Sequence, residues 1–271
     1  MSPRPPAPLP LTWLYAPGDR PEVVGKALGS GADVVIVDLE DAVAADRKAY
    51  ALAATAELLS DRHPVPVHVR VHTPRDIPVL ASLPGLSGLR LPKVAHASDI
   101  HRITELAPGL PLHPLLESAL AVEQAYAIAT AHPAVRGLSL GEADLRADLG
   151  VREDSGLDWA RGRVVVAARA AALPPPVQSV HPDVGDLEAL AAGCARGRAL
   201  GFLGRAAIHP RQLPVIERAY LPTPQEVEAA RAVVEAAAAE PGALALADGR
   251  FVDAAVVAGA RRVLALAERP G

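Results

Sequence analysis

The chain has 271 residues, half of them hydrophobic and only 3% aromatic, with a formal net charge of −4 at pH 7. That length suits one large domain or a domain with an appendage, around a core of Ala, Val and Leu. The acidic balance argues against nucleic acid as a general partner, and the single Cys194 excludes an intrachain disulfide and any multi-cysteine metal site. No run approaches the roughly 18 apolar residues of a membrane span.

Residues 1–10 hold five prolines and read as a flexible arm, not a signal peptide, which implies a cytoplasmic protein. Beyond the arm, short apolar runs alternate with Ala-rich helical stretches. Strands are predicted at 12–16, 34–39, 67–71, 88–91, 112–116, 137–140, 176–180 and 206–208. Helices are predicted at 21–28, 47–59, 98–106, 119–131, 158–172, 186–200 and 210–219. Eight strands separated by helices indicate an α/β fold, a (β/α)8 TIM barrel over residues 11–220. A doubly wound sheet would alternate in the same way but fits this spacing less well.

After Tyr220, Thr223 and Pro224 signal a helix start, and the helix runs to about residue 239. Asp248-Gly249 then marks a hairpin turn, and a last helix covers about 254–268. Residues 221–271 thus read as a helix–hairpin–helix extension, a lid or an oligomerisation element. It is too small to form a robust core alone.

Polar residues follow nearly every predicted strand: Tyr15, Asp38 with Glu40 and Asp41, Arg70, Lys93, Glu117, Asp144, Gln178 with His181, and His209. Barrels gather their chemistry at this end of the strands. Glu117 and Asp144 lie 27 residues apart, about one strand–helix–strand unit, at the ends of apolar runs. Two such acids suit a hard cation, Mg²⁺ or Mn²⁺, with positions left open for substrate. Each acid also starts a helix and can simply interact with its dipole. Arg70 can pair bidentately with a substrate oxygen pair, or it can be a strand-end arginine paired with Asp38 or Asp41. The backbone N–H groups of Glu142 and Ala143, at a helix start, can hold a carboxylate. Asp253 directly precedes an Ala-rich run, so its spacing alone reads as a helix cap. Only three lysines, Lys26, Lys48 and Lys93, stand among the 27 basic residues, and a functional reason is assigned to Lys26 or Lys93. His68 and His113 read as packing residues.

The ordered segments Tyr15-Ala16-Pro17-Gly18-Asp19-Arg20, Lys26-Ala27, Asp38-Leu39-Glu40-Asp41, Val69-Arg70-Val71, Leu91-Pro92-Lys93, Leu116-Glu117-Ser118, Gly141-Glu142-Ala143-Asp144, Ile208-His209-Pro210 and Gly249-Arg250-Phe251-Val252-Asp253 resemble the citrate lyase β-subunit-like family. That family includes malyl-CoA, citramalyl-CoA and citryl-CoA lyases within the HpcH/HpaI aldolase superfamily. The resemblance runs from Trp13 to about Leu266. It implies a magnesium-dependent lyase that cleaves or forms a carbon–carbon bond beside a CoA thioester, with acyl-CoA and a 2-oxo acid as its small-molecule partners. Glu117 and Asp144 would bind the metal, and Arg70 the substrate carbonyl or carboxylate. Tyr15, Lys26, Ile208 and His209 match positions that contact the CoA part. Asp253 matches an acid delivered by a neighbouring subunit for proton transfer at the α-carbon, in a homotrimer or hexamer. His72 stands where the family often has Asn, and Ser118 where it often has Thr. Two other readings remain: a magnesium aldolase acting on free 4-hydroxy-2-oxo acids, and a non-catalytic barrel subunit.

Overall fold

The computed structural model describes residues 9–239, 244–245, 249 and 251–269. Most of the proline-rich arm, and Asp248 and Arg250 of the hairpin, lie outside the described residues. The chain divides into two compact units, one spanning Pro10–Glu217 and the other beginning at Arg218 and including Leu9.

In the first unit the strands are β1 (Thr12–Pro17), β2 (Val34–Asp38), β3 (Val67–Arg70), β4 (Leu86–Leu91), β5 (Leu112–Leu116), β6 (Ser139–Leu140) and β7 (Arg205–Ala207). They form one parallel sheet in the order β6-β5-β4-β3-β2-β1-β7. Every residue of β2 is buried, which is why it reads Val-Val-Ile-Val before its terminal Asp38. Between the strands lie α1 (Pro21–Leu28), α2 (Lys48–Leu59), α3 (Ile77–Leu80), α4 (Ala97–Leu106), α5 (Ala119–Glu123), α6 (Ala125–Ala129), α7 (Glu142–Leu149), α8 (Asp158–Ala170) and α9 (Leu187–Leu200). α10 (Leu213–Tyr220) follows β7.

Two expectations need correction here. The predicted helix 119–131 is two short helices that meet at Gln124, whose backbone (φ −84°, ψ 5°) leaves helical geometry. The predicted strand 176–180 contributes only single parallel bridges, Val177 to Ser139 and Gln178 to Arg205. The reason is local chemistry. Pro174, Pro175 and Pro176 have no N–H to give a ladder. The carbonyls of Ser179 and Val180 accept instead from the Arg205 guanidinium, at 2.9 and 3.5 Å. What the ladders establish is a seven-stranded parallel sheet.

Residues alternate across this sheet, so one face of each strand is shared. Register aligns Asp38 with Arg70, Arg70 with Arg90, Arg90 with His113, and Leu115 with Ser139. Trp13, Val34, Ile36 and Ala206 form a buried cluster on that face. Beside them His68 and His113 lie 4.7 Å apart by ring centroids, each tilted against Trp13. A side chain at Gly88 would collide with the His68 ring, so the glycine makes room for the imidazole.

The second unit contains α11 (Pro224–Ala239), the antiparallel pair β8 (Leu244–Ala245) and β9 (Phe251–Val252), and α12 (Ala254–Ala267). Gly249 between the two strands has φ +84°, the left-handed conformation expected of a hairpin glycine. Ala230, Val233, Val252 and Ala260 form a buried apolar cluster in it.

Candidate active site

The carboxyl ends of β1 to β7 surround a cavity of about 360 Å³ whose lining includes Tyr15, Arg70, Glu117, Asp144, Gln178 and Ile208. Parallel strands bring these residues together because each turns into its helix at the same edge of the sheet.

Glu117 follows β5 and is only 7% exposed. The backbone N–H of Lys93 donates to its Oε2 at 2.8 Å. Lys93 reaches that position with φ +57°, a left-handed conformation that non-glycine residues seldom adopt, so local strain is spent on holding this carboxylate. Gly141 faces it from β6, and any side chain there would occupy the space of the Glu117 carboxyl group. Burial pushes the Glu117 carboxyl up to about 7; the Lys93 N–H opposes that rise, and the charges of Glu40 and Asp144 add to it. Asp144 is exposed in the first turn of α7.

Arg70 ends β3 and is clamped by acids. Its Nε and Nη2 donate to the two oxygens of Asp38 at 2.7 and 2.6 Å. Its Nη1 lies 3.1 Å from Glu40 and 3.2 Å from Asp41. Burial works against the Arg70 charge, but the bond and field of Asp38 more than offset it and hold its pKa above the ordinary range. Its guanidinium also lies 5.2 Å from the centre of the Tyr15 ring. Glu40 is shared with Lys93, whose Nζ lies 3.0 Å from it. Burial raises the Tyr15 hydroxyl pKa, against the fields of Arg90 and Arg70.

Of the other sequence-predicted residues, Glu142 and Ala143 line the same cavity. The Glu142 side chain pairs with Arg161 at 2.9 and 2.7 Å, and its backbone N–H reaches Ser179 Oγ at 3.4 Å. Ile208 lines the cavity, whereas His209 caps the turn after β7, its Nδ1 accepting from the Arg211 N–H. Lys26 is exposed in the last turn of α1 and is not among the residues lining the cavity. His72 lines a neighbouring space with Lys93 and Asp99, and so stands outside the Glu117 cavity. Asp253 caps α12, accepting from the N–H groups of Ala255 and Val256, both at 2.9 Å. Arg90, on the cavity floor, escaped the sequence reading, although a lone arginine in the apolar run Leu89-Arg90-Leu91 was a visible signal.

The donor set fits a hard divalent cation. Five carboxylates, Asp38, Glu40, Asp41, Glu117 and Asp144, gather around Arg70 and Lys93, and Glu117 cannot ionise comfortably without further positive charge. Asp38, Glu40 and Asp41 are already paired with Arg70, and Glu40 also with Lys93, which leaves Glu117 and Asp144. Among the described residues no group of three or more His, Cys, Asp and Glu side chains forms a ready metal cage. Two oxygen ligands with open positions suit an ion shared with substrate.

A parallel α/β sheet presenting acids and a clamped arginine at its carboxyl edge is the arrangement of an α/β enzyme. The chain belongs to the HpcH/HpaI aldolase/citrate lyase family, whose model matches residues 11–210. It is 35% identical to a (3S)-malyl-CoA thioesterase of Cereibacter sphaeroides, covering 94% of this chain and 93% of that protein. It is 30% identical to an L-malyl-CoA/β-methylmalyl-CoA lyase of the same species, covering 99% and 98%. The crystal structure of CitE from Mycobacterium tuberculosis with magnesium, acetoacetate and coenzyme A superposes with a TM-score of 0.81 at 34% identity, covering 95% of this chain and 98% of that one. No helix among the described residues is long and apolar enough to cross a membrane.

Proposed function

We propose that the protein is a magnesium-dependent lyase that splits a β-hydroxyacyl-CoA thioester into an acyl-CoA and a 2-oxo acid, or joins them. The observation that carries this reading is Glu117: a buried carboxyl held up to about 7, beside Asp144 and within reach of Arg70's field. Such a group is poised to trade its proton for a cation. Relatives named as a malyl-CoA lyase and a malyl-CoA thioesterase support CoA thioesters as the substrate class. We also read the single bridges of Val177 and Gln178 as closing the seven strands into an eight-membered barrel.

Glu117 and Asp144 hold the ion. When bound, Mg²⁺ supplies Lewis-acid polarisation of the substrate's hydroxyl and carboxylate oxygens. Arg70, fixed by Asp38, presents Nη1 beside the exposed Asp41 and orients the substrate carbonyl or carboxylate. In the cleavage direction the β-hydroxyl loses its proton and the Cα–Cβ bond breaks. Its electron pair passes into the thioester enolate, and the α-carbon then takes up a proton. We assign that proton transfer to Asp253, delivered from a neighbouring subunit of a homotrimer. Tyr15, Lys26, Ile208 and His209 are assigned to the CoA ester, and the Glu142 and Ala143 N–H groups to a carboxylate.

Hydrolysis of the thioester is the second reading, prompted by the thioesterase relative. Aldol cleavage of a free 4-hydroxy-2-oxo acid and a non-catalytic role are less well supported. Titration calorimetry with Mg²⁺ tests the site itself. Binding is expected in the wild type and is expected to fall at least about tenfold in Glu117→Gln and in Asp144→Asn, as loss of one of two charged ligands requires. Equal binding in all three proteins would remove these acids from the metal site.

A further inference from the structure

Arg90 is the cation that the proposed reaction does not use. It projects from β4 onto the floor of the Glu117 cavity and is 3% exposed. Its Nη1 donates to Ser139 Oγ at 3.0 Å, and its guanidinium lies 4.3 Å from the centre of the Trp13 ring. Its Nε and Nη2 have no hydrogen-bond partner. Nor does any carboxylate in the described chain pair with it. Arg70, its register partner on β3, is the opposite case: all three of its nitrogens face Asp38, Glu40 or Asp41.

A buried guanidinium without an anion is among the least favourable arrangements a protein can keep. Its surroundings do not compensate for it. Trp13 Nε1 and His68 Nδ1 are also buried without partners, and each of these residues is 5% exposed. Burial first, and then the Arg90 charge, hold His68 in its neutral form, and burial does the same for His113. Arg90 thus stands as one uncompensated positive charge at the floor of the substrate space, beside the lining residues Ser139 and Tyr15.

We infer that Arg90 is a specificity residue that receives a second carboxylate of the substrate, so that the 2-oxo acid half is a dicarboxylate and not a monocarboxylate. The inference rests on the proposed reading of the site. One carboxylate of the acid then lies near Arg70 and the ion held by Glu117 and Asp144. The other lies on the floor near Ser139 and Tyr15, against the Arg90 guanidinium, whose Nε and Nη2 have no protein partner to compete for it. An acid lacking that group leaves the guanidinium as unpaired as before, and discrimination arises from that penalty.

The test is equilibrium binding, which needs no bond cleavage. Oxaloacetate and pyruvate serve as the dicarboxylate and monocarboxylate probes, titrated calorimetrically into the full chain with Mg²⁺ present. The wild type is expected to prefer oxaloacetate by on the order of tenfold to a hundredfold, the value of hydrogen bonds to a charged group. Arg90→Met, which keeps the packing on Trp13 and removes the charge, is expected to collapse that ratio to within about twofold. It is also expected to melt no lower than the wild type, since an unpaired buried charge has gone. Arg90→Lys keeps a cation and is expected to retain part of the ratio. A wild type that binds both acids alike, or an Arg90→Met that keeps the ratio, would overturn the inference; the first result needs no variant to fold. An active lyase with a flat ratio rejects Arg90 alone, whereas an intact ratio without carbon–carbon chemistry rejects the lyase and leaves Arg90 in its role.

Discussion

At the scale of single residues, the charge state of Glu117 links folding to metal. Below about pH 4.5 its carboxyl is protonated in both the folded and the unfolded chain, whereas up to about pH 7 only the folded site keeps the proton. The stability this proton confers is complete below the lower value and lost as pH rises through the upper one. In EDTA, chemical denaturation is expected to show the wild type losing up to about 3 kcal/mol between pH 5 and pH 8 from this group. Glu117→Gln, which cannot ionise, is expected to remove that slope and be the more stable protein at pH 8. An identical slope in both proteins would show that the carboxyl titrates normally. Glu117, Asp144 and Arg70 were legible in the sequence because charged residues closing apolar runs are rare and chemically distinctive. Two features of the same site were not. The left-handed backbone of Lys93 has no residue signature, because glycine usually fills that conformation. The inward register of Arg90 is lost in a run whose leucines point the other way. The pairing of Arg70 with Asp38 and Asp41 was legible as one of the two readings of that arginine, and the structure shows it.

At the scale of elements, periodicity located the first six predicted strands and the last one to within a few residues. It failed where backbone chemistry overrides composition. Pro174 to Pro176 and the Arg205 side chain replace the last ladder by isolated bridges, although Val177 and Val180 give that stretch a strand-like pattern. α7 was visible only as a helix start at Glu142, because its Glu-Ala-Asp-Leu-Arg-Ala-Asp-Leu sequence is short and polar. The α12 start makes the sharpest test of two roles for one residue. Asp253 accepts two backbone N–H bonds as the cap, and Asn caps nearly as well. Asp253→Asn is therefore expected to leave the melting temperature almost unchanged. It is expected to slow turnover and solvent-deuterium exchange into the α-carbon of the acyl product by about 10²- to 10⁴-fold, the usual share of a general acid–base group. Wild-type exchange in this variant would leave Asp253 as a cap alone.

At the scale of the whole molecule, the C-terminal unit carries a thin core. Ala230, Val233, Val252 and Ala260 are small or medium side chains, and such a unit gains too little from burial to stand alone. Assembly is the natural remedy, and sedimentation at micromolar concentration is expected to give a homotrimer. A fully active monomer would contradict delivery of Asp253 between subunits. The family was legible as a set of ordered motifs, but the reaction was not, because the chain is similar both to a lyase and to a thioesterase. The two chemistries leave different products, so product identity is the direct test. The purified chain is incubated with malyl-, citramalyl- and citryl-CoA, and all products are quantified by mass spectrometry with Mg²⁺ and then with EDTA. The account requires at least one thioester to yield acyl-CoA and 2-oxo acid in equal amounts, abolished by EDTA and restored by Mg²⁺. Release of free CoA with the hydroxy acid intact, or cleavage that ignores EDTA, would contradict it.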